Sequence, residues 1–346
     1  MRLLVWGTGS RAKELVPALR TEATEIVAFI NSFDSGGSFF GKPVFSPGQA
    51  AALKPGIDYD RVYIASYFAE EISAMAEALG FPKALFLPEW FPHFLRYKGR
   101  LSEEQLVRLL AVPWWYHTFE ILPGIMTPGI CSYKPYLLDH PLTREVSGKK
   151  VLDIGAWDGP YTLEMARRGA RVTAFDIQPP DHSGFDAMRR LNDIDAEHFC
   201  ESVYNLDPQR HGRFDVVLFF GVYYHLRSPL LAIANINAVL EDGGLVFVEG
   251  AVLEGASTVD AFCADHADKI ASIAAMPMAY YVKDIFQDHW SNWWVPNMAC
   301  LRQWFTSSGF VVEHEALFEN DSRGYLIARK VGPVPPEHAV LEGARS

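Results

Sequence analysis

The chain has 346 residues, 49% of them hydrophobic and 21% charged, with a formal net charge of −11. That length suits two domains with separate cores, and the composition excludes a disordered chain. The acidic balance argues against a broad nucleic-acid surface while leaving room for a local basic patch. No apolar run approaches the roughly 18 residues of a membrane span. Cys131, Cys200, Cys263 and Cys300 are scattered without C-x-x-C or Cys/His ligand spacing. They read as reduced thiols of a cytoplasmic protein, and no metal site is expected.

The start, M-R-L-L-V-W-G-T-G, predicts a strand over Leu3 to Trp6 that enters a glycine turn rather than a signal peptide. A helix to about Arg20 follows, then a strand from Ile26 to Ile30 ending at Asn31. Turns are expected at Gly41 to Val44 and at Ser46-Pro47, with Pro47 opening a short helix. A strand over Arg61 to Ala65, a helix over Ala69 to Leu79 and a strand near Ala84 to Leu87 complete the first stretch. The βαβ alternation implies a parallel sheet with helices on its faces. On G-T-G-S-R-A, V-A-F-I-N, F-x-G-K-P-V and Y-I-A-S, residues 1–95 resemble the small Rossmann-like module at the front of some sugar-modifying acyltransferases and beside some methyltransferases. In that module the glycine turn faces a nucleotide sugar or serves as scaffold. Asn31 stands where NAD binding wants an acid, with Asp34 off the strand, which disfavours an oxidoreductase.

Residues 96–135 form a connector rich in aromatics and prolines, with a helix over Ser102 to Leu110 opened by a Ser102/Gln105 capping box. Its aromatics read as interdomain core before ligand platform. The second domain spans 136–330. It begins with the apolar run V-L-D-I-G-A-W-D-G (151–159), a helix over Tyr161 to Arg168 and the run R-V-T-A-F-D ending at Asp176. Next come a helical region over Gly184 to Leu191, a strand over Glu197 to Val203 and the continuous apolar strand Phe214 to Phe220, suited to the middle of a parallel sheet. A helix over Pro229 to Leu240 is expected to end at the Asp242-Gly243-Gly244 turn, before a strand over Leu245 to Glu249. After an insertion (251–297) come a helix over Met298 to Ser308 and strands over Val311 to Ala316 and Gly324 to Arg329. The tail 331–346 is expected to be mobile.

An apolar strand that ends in an acid and a glycine loop lets backbone N–H groups approach a ligand, and Asp176 can accept both hydroxyls of a ribose. On Asp153, Gly155, Gly159 and Asp176 the chain resembles the class I S-adenosylmethionine-dependent methyltransferases, with Trp157 in place of their middle glycine. The resemblance implies an α/β doubly wound sheet and S-adenosyl-L-methionine as cofactor. Asp153, Gly155, Ala156, Trp157, Gly159, Asp176, Ile177, Val203 and Gly221 would then surround it.

The segment G-V-Y-Y-H-L-R-S-P (221–229) extends the likeness, together with D-I-G-A-W-D-G, W-W-V-P-N-M and L-I-A-R-K. These resemble the tRNA wobble-uridine carboxymethyltransferases over most of the second domain. That group uses a carboxylated cofactor whose carboxylate needs cationic partners. Arg323 stands where its arginine does, whereas its lysine falls at Tyr116, so ordinary S-adenosylmethionine is expected.

Methyl transfer needs a positioned acceptor and removal of its proton. His117 and His225 are the candidate bases, with Tyr224 beside the second, and a structural hydrogen-bonding role is the alternative for each. Trp293 and Asn297, with Trp290 and Trp294, are candidates to cover the acceptor, and Arg323 to contact it. The expected function is methylation of a small polar acceptor such as a sugar, sugar nucleotide or natural-product hydroxyl. A tRNA-modifying enzyme and a non-catalytic nucleotide sensor are the alternatives. The expected partner is a small-molecule substrate, with tRNA kept open, no membrane, and a homodimer as the candidate assembly.

Overall fold

The structure is a computed structural model, and it describes residues 1–21, 24–97, 99–254, 276–282, 291–319 and 321–335. Cys263, Trp290, much of the insertion and the tail from residue 336 lie outside the described residues. The chain forms two compact units, Met1–Trp114 and Trp115–Ser346, so the 96–135 stretch is divided between them.

The first unit is built on a five-stranded sheet in the order Ser38–Phe39, Lys42–Phe45, Glu25–Ile30, Arg2–Trp6, Arg61–Ile64. All neighbours are parallel except the first pair. Alternation along Arg2–Trp6 sends Leu3 and Val5 into one core and Leu4 and Trp6 into the other, as a sheet covered on both faces requires. Two expectations change here. Lys42–Phe45 is a strand rather than part of a turn, because Phe40 and Gly41 (φ 48° and 75°) close a hairpin onto Ser38–Phe39. The strand expected near Ala84 to Leu87 is a 3₁₀ turn, Lys83–Leu85, with a single bridge from Phe86 to Val62. Pro82 and Pro88 flank it and cannot donate to a ladder.

The second unit holds a seven-stranded sheet. Its spatial order is Glu197–Cys200, Arg171–Asp176, Lys150–Ile154, Phe214–Phe220, Leu240–Ala251, Arg323–Lys330, Phe310–Phe318. By chain order this is third, second, first, fourth, fifth, seventh, sixth, with the last two strands antiparallel. The expected class I doubly wound fold is borne out. Phe214–Phe220 lies at its centre and feeds Val217 and Phe219 to one core and Val216 and Leu218 to the other. Burying both faces of this strand at about 25 cal/mol per Å² is the main local driving force.

Local boundaries differ where turn chemistry was ambiguous. The helix Pro229–Val239 stops before Leu240, which already pairs with Phe214. Asp242-Gly243-Gly244 lies within strand Leu240–Ala251 as an irregularity rather than ahead of it, with Gly243 at φ 76°. The third strand ends at Cys200, and Ser202 caps a 3₁₀ turn, Val203–Asn205. Among the described residues no helix is long and apolar enough to cross a membrane.

Candidate active site

Parallel strands place their carboxyl ends on one edge, where loops can converge on a ligand. Gly155 leaves the first strand at φ 78° and donates its N–H to the Phe175 carbonyl at 2.8 Å. A Cβ there would lie 2.5 Å from Val222 Cγ2, so only glycine lets this loop pass so close to the end of the fourth strand. Gly159 repeats the requirement: a Cβ would lie 2.3 Å from Met188 Cε.

Asp153 is buried and accepts from the Thr162 hydroxyl at 2.7 Å. Burial pushes its carboxyl up to about 7 against that hydrogen bond. Asp176 is also buried, and burial raises its pKa. Its Oδ2 accepts the Trp157 N–H at 2.9 Å and its Oδ1 the Gln178 N–H at 2.8 Å. These bonds fix the carboxylate while leaving lone pairs free for further donors. Ile177 next to it is 68% exposed, an apolar side chain left open at the strand end. Val203 is buried in the core, and its carbonyl accepts from Asn235 Nδ2 at 3.1 Å. Ala156 is buried too.

Trp157 takes φ 47°, the left-handed conformation that a glycine would adopt without strain. Its carbonyl accepts from Ser183 Oγ at 2.8 Å, and its ring packs 5.4 Å from that of Tyr116.

The main residue that sequence reasoning missed is Asp158, which is fully buried. Its Oδ2 accepts the backbone N–H groups of Tyr116 and His117 at 2.7 and 2.6 Å, and its Oδ1 that of Gly184 at 3.0 Å. His117 Nδ1 lies 3.6 Å from the same Oδ2. Asp158 therefore ties the backbone of Tyr116 and His117 to the loop after the first strand of this sheet. An acid inside a glycine loop, with no apolar period of its own, was the only available signal.

At the end of the fourth strand, Gly221 (φ 71°) donates to the Glu249 carbonyl at 2.9 Å. Tyr224 follows, its hydroxyl 3.4 Å from both terminal nitrogens of Arg323. Arg323 also grips the buried Glu249 through two bonds, Nε to Oε1 at 2.7 Å and Nη2 to Oε2 at 2.8 Å. Lys134 adds a contact to Glu249 at 3.5 Å and one to Glu319 at 2.6 Å. Burial pushes the Glu249 pKa up, but Arg323 and Lys134 outweigh it and hold the carboxyl below its usual range. The guanidinium carbon lies 5.2 Å over the Tyr224 ring. Burial raises the Tyr224 hydroxyl's pKa, with Arg323 opposing. Burial likewise raises that of Tyr116, whose environment includes Cys131, Tyr224 and Arg323.

His225 is placed differently from His117: its Nδ1 meets Ser291 Oγ at 2.9 Å. Trp293 donates its backbone N–H to the Tyr224 carbonyl at 2.7 Å, and its ring lies 5.3 Å from the Arg227 guanidinium. Asn297 is 1% exposed and serves the fold. Its Oδ1 caps helix Met298–Thr306 through the Cys300 N–H, and its Nδ2 donates to the Met276 carbonyl. Both ends of the Asn297 amide are thus engaged within the chain, the oxygen as a helix cap.

Residues 130–315, more than half of the chain, match the family described as a methyltransferase domain. The chain belongs to that family. A tRNA U34 carboxymethyltransferase of Campylobacter hominis is 31% identical over 196 residues, covering 53% of this chain and 65% of that protein. One of Stutzerimonas stutzeri is 28% identical, over 48% of this chain and 47% of its own length. A ubiquinone biosynthesis O-methyltransferase of Xanthomonas euvesicatoria pv. vesicatoria is 30% identical, over 42% of this chain and 59% of its own. The methyltransferase chain spans about half to two thirds of the length of these curated relatives. These matches bear out a class I S-adenosylmethionine-dependent methyltransferase domain that resembles the wobble-uridine group, with S-adenosylmethionine as its cofactor.

The site fits that cofactor. Asp176 offers an acceptor fixed by two backbone N–H groups, and Ile177 presents an open apolar face beside it.

Proposed function

We propose that this methyltransferase transfers a methyl group to a hydroxyl of a small polar acceptor, such as a sugar, a sugar nucleotide or a natural product. The observation that supports it most directly is the His117–Asp158 pair at the cofactor loop, with Nδ1 3.6 Å from Oδ2. A base beside a buried carboxylate that can offset its positive charge suits deprotonation of an alcohol.

In this reading Asp176 accepts the ribose hydroxyls, the Gly155 and Gly221 backbones pass close to the bound cofactor, and Ile177 offers an apolar surface for adenine. The sulfonium, when bound, supplies the methyl electrophile. The acceptor's proton passes to the His117 imidazole, whose positive charge Asp158 offsets through Nδ1. Once that proton is taken, bound S-adenosylmethionine would give its methyl group to the acceptor oxygen and leave as S-adenosylhomocysteine. Tyr224 and Arg323 offer hydrogen-bond donors that orient a polyhydroxylated acceptor.

Carboxymethyl transfer to tRNA is the second reading. The Arg323–Tyr224 contact and the names of the relatives favour it. Tyr116 in place of a lysine and the net charge of −11 weigh against it. Methyl-labelled S-adenosylmethionine offered with panels of sugars, sugar nucleotides and tRNA distinguishes the two. Label on a sugar hydroxyl, lost by about 10²–10⁴-fold in His117→Ala, is the expected result. Label on tRNA alone, with retention that falls steeply with salt, would favour the second reading.

A further inference from the structure

Three observations about Trp157, in the loop after the first strand of the seven-stranded sheet, converge. Its backbone holds the left-handed φ of 47°, a conformation that strains a bulky residue and calls for compensation. That backbone is pinned on both sides, N–H to Asp176 Oδ2 and carbonyl to Ser183 Oγ, so Trp157 is held against the same acid that is read as the ribose acceptor. The indole Nε1–H is buried and has no hydrogen-bond partner among the described residues. Buried indole N–H groups nearly always find an acceptor.

We infer that Trp157 replaces the loop glycine in order to supply this indole N–H to the cofactor, and that its acceptor is the carboxylate of the cofactor's amino-acid tail. The assignment rests on the S-adenosylmethionine site read above, and it follows from matching donors to acceptors. Ribose hydroxyls donate, and Asp176 receives them. The carboxylate is the cofactor's acceptor-only, anionic group, and it requires N–H or O–H donors. An orphaned donor on the cofactor loop meets that need. Tyr116, packed on the indole at 5.4 Å, holds the ring in place.

Two ligands isolate the contact: S-adenosylhomocysteine, which has the carboxylate, and 5′-methylthioadenosine, which lacks it. Calorimetric titration of the full chain compares wild type with Trp157→Phe, which keeps an aromatic ring but removes the N–H. The expected result is an affinity for S-adenosylhomocysteine about tenfold weaker and an affinity for 5′-methylthioadenosine left unchanged. Equal losses for both ligands, or no loss for either, would overturn the carboxylate assignment. Trp157→Gly suits the positive φ and loses the same N–H, so it carries the same comparison if the phenylalanine variant unfolds. Wild-type protein that binds neither ligand would sink the cofactor reading itself, a different outcome from a flat comparison between variants.

Discussion

Asp158 and His117 meet through the backbone: Oδ2 of Asp158 accepts the His117 backbone N–H at 2.6 Å, and the ring Nδ1, buried and without a hydrogen bond among the described residues, lies 3.6 Å from the same oxygen. With Tyr116 and Gly184 also donating, three backbone groups from two separate segments depend on one buried carboxylate. Asp158→Asn would turn an amide N–H toward groups that themselves donate. A loss of about 2–4 kcal/mol in urea unfolding is expected, with weaker binding of S-adenosylhomocysteine. Wild-type stability in this variant would show that the Tyr116–His117 segment is held by other contacts.

The Arg323–Glu249 pair is almost fully enclosed, with side-chain exposures of 15% and 4%. Removing one partner leaves a buried charge, so Arg323→Met should cost about 3–5 kcal/mol. The double variant Arg323→Met/Glu249→Leu should cost clearly less than the sum of the single changes, because no uncompensated carboxylate remains. Additive losses in denaturant midpoints would mean that Lys134 alone suffices to neutralise Glu249.

Asp153 gives the fold a specific pH signature. Its folded pKa is about 7, above the ordinary 3.8, because it is buried. Between those values the native state holds a proton that the unfolded chain has released. The stabilisation is therefore full below the ordinary value and is lost as pH rises through about 7. Stability measured by urea unfolding at pH 5 and pH 8 should fall toward the higher pH, and Asp153→Asn should flatten that decline. Identical slopes in both proteins would remove Asp153 as the cause.

Gly155→Ala combines two penalties, a Cβ 2.5 Å from Val222 Cγ2 and a φ of 78°. A loss of about 1–3 kcal/mol is expected, together with reduced affinity for S-adenosylhomocysteine. Thermal unfolding with and without ligand separates the two effects.

Much of this was legible in the residues. Phe214–Phe220 announced a central strand because seven consecutive residues without a turn signal suit a sheet covered on both faces. Asp176 announced itself by closing an apolar strand after a glycine loop. What escaped were relations across long sequence separation. Asp158 binds groups 41 and 42 residues upstream, and Arg323 binds Glu249 74 residues before it. No local period encodes such pairs. The Lys42–Phe45 strand escaped because glycine and proline beside it read as a turn, and the capping role of Asn297 escaped because capping and ligand-binding asparagines look alike in sequence. Trp157 was visible as a departure from the glycine pattern, but its left-handed backbone and orphaned N–H belong to three dimensions.

The cofactor cradle centred on Asp176 is tested most directly by calorimetric titration with S-adenosylhomocysteine, wild type against Asp176→Ala, with NADH as comparator. The prediction is wild-type affinity on the order of micromolar, no NADH binding, and a loss of about 100-fold in the variant as two hydrogen bonds to a charged acceptor disappear. Unchanged affinity in Asp176→Ala, or NADH binding in place of S-adenosylhomocysteine, would contradict it.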